Sequence, residues 1–234
     1  MRFKLAACLM MLAAPALADG GECSGWADLA PATKITLAKV AAPKLNFLKN
    51  ASEGPGCPST SASCLRKGFM VEGDMLIISG VENGLACGQF VNSRGLESTG
   101  WVPLSSLAEV PSGAVAAKDW TGNWNGGPEQ SIKITAAPAP TMLNLHGDAT
   151  FGAQDPARVK RGAVNIGEFD AQVKVEGNAT SFTIGDGGKT LTYDKGDEFA
   201  CKIRMRRLGP FLMVEDNRQC GGNNVSFTGD YRKP

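Results

Sequence analysis

The sequence predicts an all-β protein built from two small antiparallel barrels, and three observations predict it. No apolar pattern holds a helical period for as many as ten residues. Short alternating runs are punctuated throughout by Gly, Asn, Asp and Pro, the residues that separate strands by favouring turns. One motif, aromatic-Thr-Gly-Asx-aromatic, occurs twice. It stands as Trp120-Thr121-Gly122-Asn123-Trp124 at the opening of the second half and as Phe227-Thr228-Gly229-Asp230-Tyr231 at its end. We read the two copies as the first and last strands of one sheet, pairing to close it, because closure removes the exposed edges of a sheet.

The chain opens on a secretory signal. Arg2 and Lys4 form a charged start, Leu5 to Leu12 a short apolar run, and Ala16-Leu17-Ala18 a small-residue cleavage site. The apolar run is shorter than the ~20 residues a membrane helix needs, so no membrane span is expected. Cleavage after Ala18 leaves 216 residues, in which 22 basic residues face 23 acidic ones, a net charge of −1. That balance gives no reason to expect a nucleic-acid partner. The compact signal implies a bacterial periplasmic or secreted product. Six cysteines remain after cleavage, and an even number in an oxidising compartment reads as three disulfides. A thiolate metal site is not expected, since there is no C-x-x-C and only one His.

Residues 19–112 form the first predicted domain. Lys34 to Leu37 and Lys44 to Leu48 are short strand-like runs broken by Pro43. The segment from Gly54 to Cys64 is Gly, Pro and Ser throughout, which is loop chemistry. Its two cysteines suit a local bridge, Cys57–Cys64. Phe69 to Ile78 reads as two strands about a Glu72-Gly73-Asp74 turn, and Leu85 to Val91 as the next. Gly100-Trp101-Val102-Pro103 with Leu107 closes the unit, with Pro103 at an edge or a strand end.

The order Gly73-Asp74, apolar run, strand, Gly100-Trp101-Val102-Pro103-x-x-x-Leu107 resembles the bacterial SH3-like domain, over about Lys44 to Leu107. That family commonly places a Trp in the middle strand, where this chain has Cys87 and Phe90. The resemblance implies a five-stranded barrel that binds peptides or cell-wall peptide stems, or only packs on a neighbouring domain. Trp101 would lie near the groove. It reads either as an aromatic binding platform or, the favoured reading, as a half-buried core residue. With Cys57 and Cys64 paired locally, Cys23 and Cys87 are left to tie the N-terminal tail to the barrel.

Residues 113–117 form a short Ala- and Gly-containing linker, and 118–234 the second domain. Strand segments fall near Gly122–Asn125, Ser131–Ala136, Met142–Phe151, Gly162–Glu168, Phe169–Glu176, Thr180–Ile184, Lys189–Tyr193, Phe199–Leu208, Phe211–Glu215 and Val225–Tyr231. Merging of neighbours gives about eight strands. Cys201 and Cys220 lie at comparable distances on either side of the Gly209-Pro210 turn, which suits a cross-strand bridge. Trp120-x-Gly122-x-Trp124 resembles the Gly-x-Trp signature of the first strand in lipocalins and related calycins, and implies that Trp124 plugs one barrel end. The same outline suits small periplasmic barrels such as bacterial lysozyme inhibitors. Asp216 to Tyr231 resembles the end of a group of exported bacterial proteins that pair an SH3-like segment with a C-terminal β-domain.

Candidate chemistry is sparse. Lys202, Arg204 and Arg206 alternate with Ile203 and Met205, so three cations share one strand face, with Arg207 beside them. The loop Asp155 to Gly162 adds Arg158, Lys160 and Arg161. These could meet an anionic partner, or form a solvated face balanced by Asp194, Asp197 and Glu198. His146 shares a strand face with Asn144 and Met142, which favours a solvent-facing residue over a general base. No nucleophile motif, phosphate loop or dinucleotide fingerprint is present. The expectation is a non-enzymatic exported binding protein with no catalytic residue, metal or cofactor. Its partner would be a cell-wall peptide or a periplasmic protein, met by the SH3-like half. Two alternatives are a carrier of a small apolar ligand in the second barrel and an inhibitor of a secreted hydrolase such as lysozyme. A basic stripe has the wrong sign for a basic lysozyme.

Overall fold

The computed structural model describes residues 21–92, 95–111 and 113–234. The predicted signal segment 1–18 and Ser112 at the predicted domain boundary lie outside the described residues. The fold is all-β, with three disulfides that pair Cys23 with Cys87, Cys57 with Cys64 and Cys201 with Cys220.

The N-terminal sheet holds β1 (Thr36–Val40), β2 (Lys44–Leu48), β3 (Leu65–Val71), β4 (Met75–Glu82), β5 (Leu85–Val91), β6 (Glu97–Pro103) and β7 (Leu107–Val110). Their order is β3-β2-β6-β5-β4-β1-β7. Strands from both ends of that order share one core: Met70 of β3 packs with Ala38 and Val40 of β1, Leu76 and Ile78 of β4, and Val102 of β6. The sheet therefore folds over on itself. Seven strands stand where five were expected. The two additional ones, β1 and β7, pair with each other: Ala108-Glu109-Val110 carries no alternation worth the name, yet lies antiparallel to Lys39-Ala38-Leu37. Pro103 ends β6, an interior strand, so its missing N–H falls where the ladder stops.

The C-terminal sheet holds β8 (Gly122–Asn125), β9 (Gln130–Ala136), β10 (Met142–Phe151), β11 (Asn165–Lys174), β12 (Ala179–Ile184), β13 (Thr190–Leu191), β14 (Cys201–Leu208), β15 (Phe211–Asp216) and β16 (Gly229–Arg232). The order β11-β10-β9-β8-β16-β15-β14-β12-β13 makes a nearly closed nine-stranded antiparallel barrel. The segments Gly162–Glu168 and Phe169–Glu176 fuse into β11, which alternates between exposed and buried residues from Ile166 to Lys174 after a half-buried Asn165. Two single-turn helices are additions to the expected pattern, α1 (Ala117–Trp120) and α2 (Pro156–Lys160). Asp155 caps α2 by accepting from the backbone N–H groups of Ala157 and Arg158, with Pro156 at the first helical position.

β8 does pair with β16, Asn125 lying opposite Arg232. That junction sits mid-order, and the remaining opening lies between β11 and the edge formed by β12 and the two-residue β13. A four-residue turn joins β11 to β12, yet no ladder runs between them. The Thr180 hydroxyl donates to the Lys174 carbonyl at 2.9 Å, and Gln172 N–H donates to Thr190 Oγ1 at 3.1 Å. Side-chain hydroxyls on this seam thus take the places of backbone partners.

The barrel interior is filled by its own side chains, among them Trp120, Trp124, Phe169, Phe182, Phe227 and Tyr231. Between the two sheets lies a separate apolar core, made by Leu29, Ile35, Leu37, Ile77 and Val91 on one side and Leu208, Phe211 and Met213 on the other.

Candidate functional site

Five places carry side chains with candidate chemistry, and Trp101 marks the first. It is 5 % exposed and packs with Leu48, Cys23 and Cys87. Its indole N–H donates to the Gly21 carbonyl at 3.1 Å. It is thus a core residue, with one edge forming part of a surface depression of about 550 Å³. Leu85 and Pro58 continue the apolar floor, and Ser59, Thr60, Glu82 and Asn83 form a polar rim. Two disulfides stiffen the walls. Cys57–Cys64 closes the loop that carries Pro58 to Thr60, and Cys23–Cys87 ties the strand beside Trp101 to the N-terminal segment.

The basic residues do not assemble into an anion site. Lys202, Arg204 and Arg206 share the outer face of β14, as their alternation requires. Arg206 donates to the carbonyls of Thr33 at 2.9 Å and Ala30 at 3.1 Å, which clamps the segment preceding β1 onto the barrel. Burial against that segment lowers its pKa, opposed by the charge of Asp28. Arg204 pairs with Glu215 at 3.2 Å and lies over the Tyr193 ring at 4.2 Å. Glu215 also accepts the Leu29 N–H at 2.9 Å. The expected balance from Asp194, Asp197 and Glu198 is therefore supplied instead by Glu215 and main-chain carbonyls. Arg207 leaves the stripe altogether. Its position turns it inward, where it stacks over Trp124 at 4.5 Å and burial lowers its pKa. Arg158 stacks on Phe151 at 4.8 Å and donates to the Ala163 carbonyl, while Lys160 and Arg161 are exposed on and beside α2. Among the described residues no hydrogen bond or ion pair joins the α2 set to the β14 set, or either to Trp101.

The seam between β11 and β12 opens as a cleft of about 1080 Å³. Val173, Phe182, Leu191 and Met205 lie along its floor, and Lys34, Asp194 and Arg204 lie on its rim. Sequence reasoning missed it, because every segment around it reads as ordinary strand or turn.

Two carboxyl clusters were also missed. On the outer face of β10 and β11, His146 lies opposite Asp170, and Asp148 opposite Glu168. The imidazole is within 2.9 Å of Asp170 through Nδ1 and within 3.1 Å of Asp148 through Nε2. The hydrogen bond that the ring donates to Asp170, and then the charges of Asp148, Asp170 and Glu168, raise the His146 pKa above its ordinary 6.5. The tell-tale was present as two alternating pairs, His146-x-Asp148 and Glu168-x-Asp170, but only the strand register brings them together. The second cluster lies between the domains. Asp230, fully buried, accepts from Trp26 Nε1 at 3.1 Å and from Gln89 Nε2, and its own N–H donates to Glu97 Oε1 at 3.0 Å. Burial first, and the neighbouring Glu97 second, push the Asp230 carboxyl up to about 8. Burial also raises the Glu97 pKa.

No helix among the described residues is long and apolar enough to cross a membrane. Three disulfides fit an oxidising, extracellular environment. Comparison of the chain with protein-family models, with curated proteins and with solved structures finds no match in any of the three.

Proposed function

We propose that this is an exported, non-enzymatic binding protein whose SH3-like N-terminal half recognises a short peptide, from the cell wall or from a periplasmic protein. The observation that carries the reading is the depression beside Trp101. An apolar floor of Trp101, Leu85 and Pro58 is ringed by hydroxyl, amide and carboxylate groups. That is the usual composition of a site that buries an apolar side chain and fixes polar groups around it. Glu82 on the rim offers an acceptor for a peptide amine. The disulfides beside the walls limit the ordering cost of binding. The export signal read from the sequence at Arg2 to Ala18 supports the reading, since it would bring the site to the compartment where such peptides occur.

Retention on purified peptidoglycan at low salt, where weak polar contacts are least screened, tests the reading. The mature chain should be retained, and Glu82→Arg on the rim combined with Leu85→Ser on the floor should reduce retention several-fold, with circular dichroism checking that the double variant is folded. A wild-type chain that passes through unretained, and that enriches no extended peptide from a random library, refutes it.

A second reading, carriage of a small apolar ligand, is favoured by the seam cleft with Phe182, Leu191 and Met205 on its floor. The packed interior restricts such a ligand to the seam. Native mass spectrometry of protein taken from its host decides this reading, since a carrier keeps a non-covalent adduct that is lost on denaturation.

A further inference from the structure

We propose that His146, Asp148 and Glu168 form a binding site for a first-row divalent transition cation such as Zn2+, with Asp170 positioning the imidazole. One ligand atom from each of the three residues lies within 4.8 Å of the others. Four adjacent positions of an antiparallel pair supply the set: His146 and Asp148 two apart on β10, Glu168 and Asp170 two apart on β11, all on the outer face.

The arrangement differs from a chance accumulation of surface acids in three respects. First, it contains the chain's only imidazole. Its two ring nitrogens face different carboxylates, Nδ1 toward Asp170 at 2.9 Å with Glu168 at 3.9 Å, and Nε2 toward Asp148 at 3.1 Å. A metal-ligating His commonly donates its second ring N–H to a carboxylate, which fixes the ring and its tautomer. Asp170 supplies that partner, leaving Nε2 to ligate beside Asp148. Second, the carboxylates lack other counter-charges. Among the described residues, His146 is the only ion-pair partner of Asp148, Glu168 and Asp170. Lys133 lies beside His146 in register on β9 yet makes no ion pair with them. Third, the backbone beneath is fixed. Gly147 and Phe169 pair between the ligand positions and face inward. The Phe169 ring lies so close to Gly147 that an added Cβ would stand 2.2 Å from it, and the same ring packs edge-on against Phe227 at 4.8 Å.

Donor chemistry selects the class of ion. One imidazole nitrogen with two carboxylate oxygens suits Zn2+ and its neighbours, at bond lengths of about 2.0–2.2 Å. Ca2+ and Mg2+ favour all-oxygen shells. Three protein donors leave positions for water, and the exposed carboxylates can close the remaining distance by rotamer changes.

Zn2+ titration of the mature, tag-free chain tests the proposal, because a single imidazole gives a single Cε1–H proton signal. Calorimetry should show one saturable equivalent, and that NMR signal should shift to completion at one equivalent. His146→Ala should weaken binding at least tenfold. Asp170→Asn should weaken it by roughly 10–100-fold while leaving one equivalent bound. Circular dichroism of each variant checks that the barrel is intact. Non-saturating heats, an unshifted imidazole, or equal binding by a folded His146→Ala chain would mean an adventitious ion only and overturn the proposal.

Discussion

Asp230 is the side chain whose surroundings oppose its charge most strongly. It has no exposure, it lies beside a second carboxyl in Glu97, and its donors are the neutral Trp26 indole and Gln89 amide. Arg232, two residues on, spends its guanidinium on the Val91 carbonyl and the Phe211 ring. The folded state therefore favours a protonated Asp230, with its pKa raised from 3.8 to about 8. The sign follows from proton uptake: between those two values the folded chain holds a proton that the unfolded chain has released. Stability from the neutral carboxyl is complete below pH 3.8 and is lost as pH rises toward 8. Thermal unfolding should accordingly give a midpoint that declines between pH 5 and pH 8. Asp230→Asn should flatten that decline, leaving the smaller slopes due to Glu97 and, above pH 6.5, to His146. An unchanged slope in the variant would show that the carboxyl is ionised in the fold. Nothing in the sequence separates Asp230 from Asn123, its counterpart in the repeated motif. Its burial is created by Trp26, Gln89 and Glu97, which lie over a hundred positions away.

The repeated motif itself was legible as an element, and its internal geometry explains why it recurs. In the first copy Trp124 Nε1 donates to the Trp120 carbonyl at 2.7 Å. In the second, the Tyr231 hydroxyl donates to the Phe227 carbonyl at 2.8 Å. Each closing aromatic thus satisfies a buried carbonyl four residues back. Each central glycine has a positive φ, 134° at Gly122 and 154° at Gly229, conformations that side chains with a Cβ seldom adopt. Turn residues and alternation similarly revealed β5, β8 and β10 to the residue. What could not be read is where the barrel stays open, since the β11–β12 seam depends on hydroxyl contacts from Thr180 and Thr190 rather than on any local pattern. The motif also depends on Gly126, where an added Cβ would sit 2.6 Å from the Tyr231 ring. Gly126→Ala should therefore cost about 1–3 kcal/mol in urea unfolding, as overpacking of a filled core does. Gly68→Ala, where a Cβ meets nothing within 4 Å, serves as the control and should change stability far less. Equal effects would mean that the Tyr231 ring yields freely.

At the scale of the molecule the two sheets behave as one folded body because β15 is buried on both faces. Leu212 and Val214 point into the barrel, and Phe211 and Met213 point out of it onto Leu37, Ile77 and Val91. An unbroken apolar run, Phe211-Leu212-Met213-Val214, is the sequence signature of a strand with no solvent side. It identified a strand, but the partner for its outer face lies in the other domain and left no mark nearby. Polar contacts then fix the register between the sheets. Arg206 holds the carbonyls of Ala30 and Thr33, Glu215 holds the Leu29 N–H, and Arg232 holds the Val91 carbonyl. Gly209, at φ 55°, brings the β14–β15 turn so close to Leu37 that a Cβ would stand 2.5 Å from its side chain. Truncating Met213 to Ala removes buried volume from the shared core alone and should cost about 2–5 kcal/mol. If the sheets are coupled, amide exchange should accelerate in β1 and β4 as much as in β14 and β15, although the substitution lies in only one sheet. Acceleration confined to the C-terminal sheet would instead show that the N-terminal sheet is stable without its neighbour, and that the interface adds orientation rather than stability.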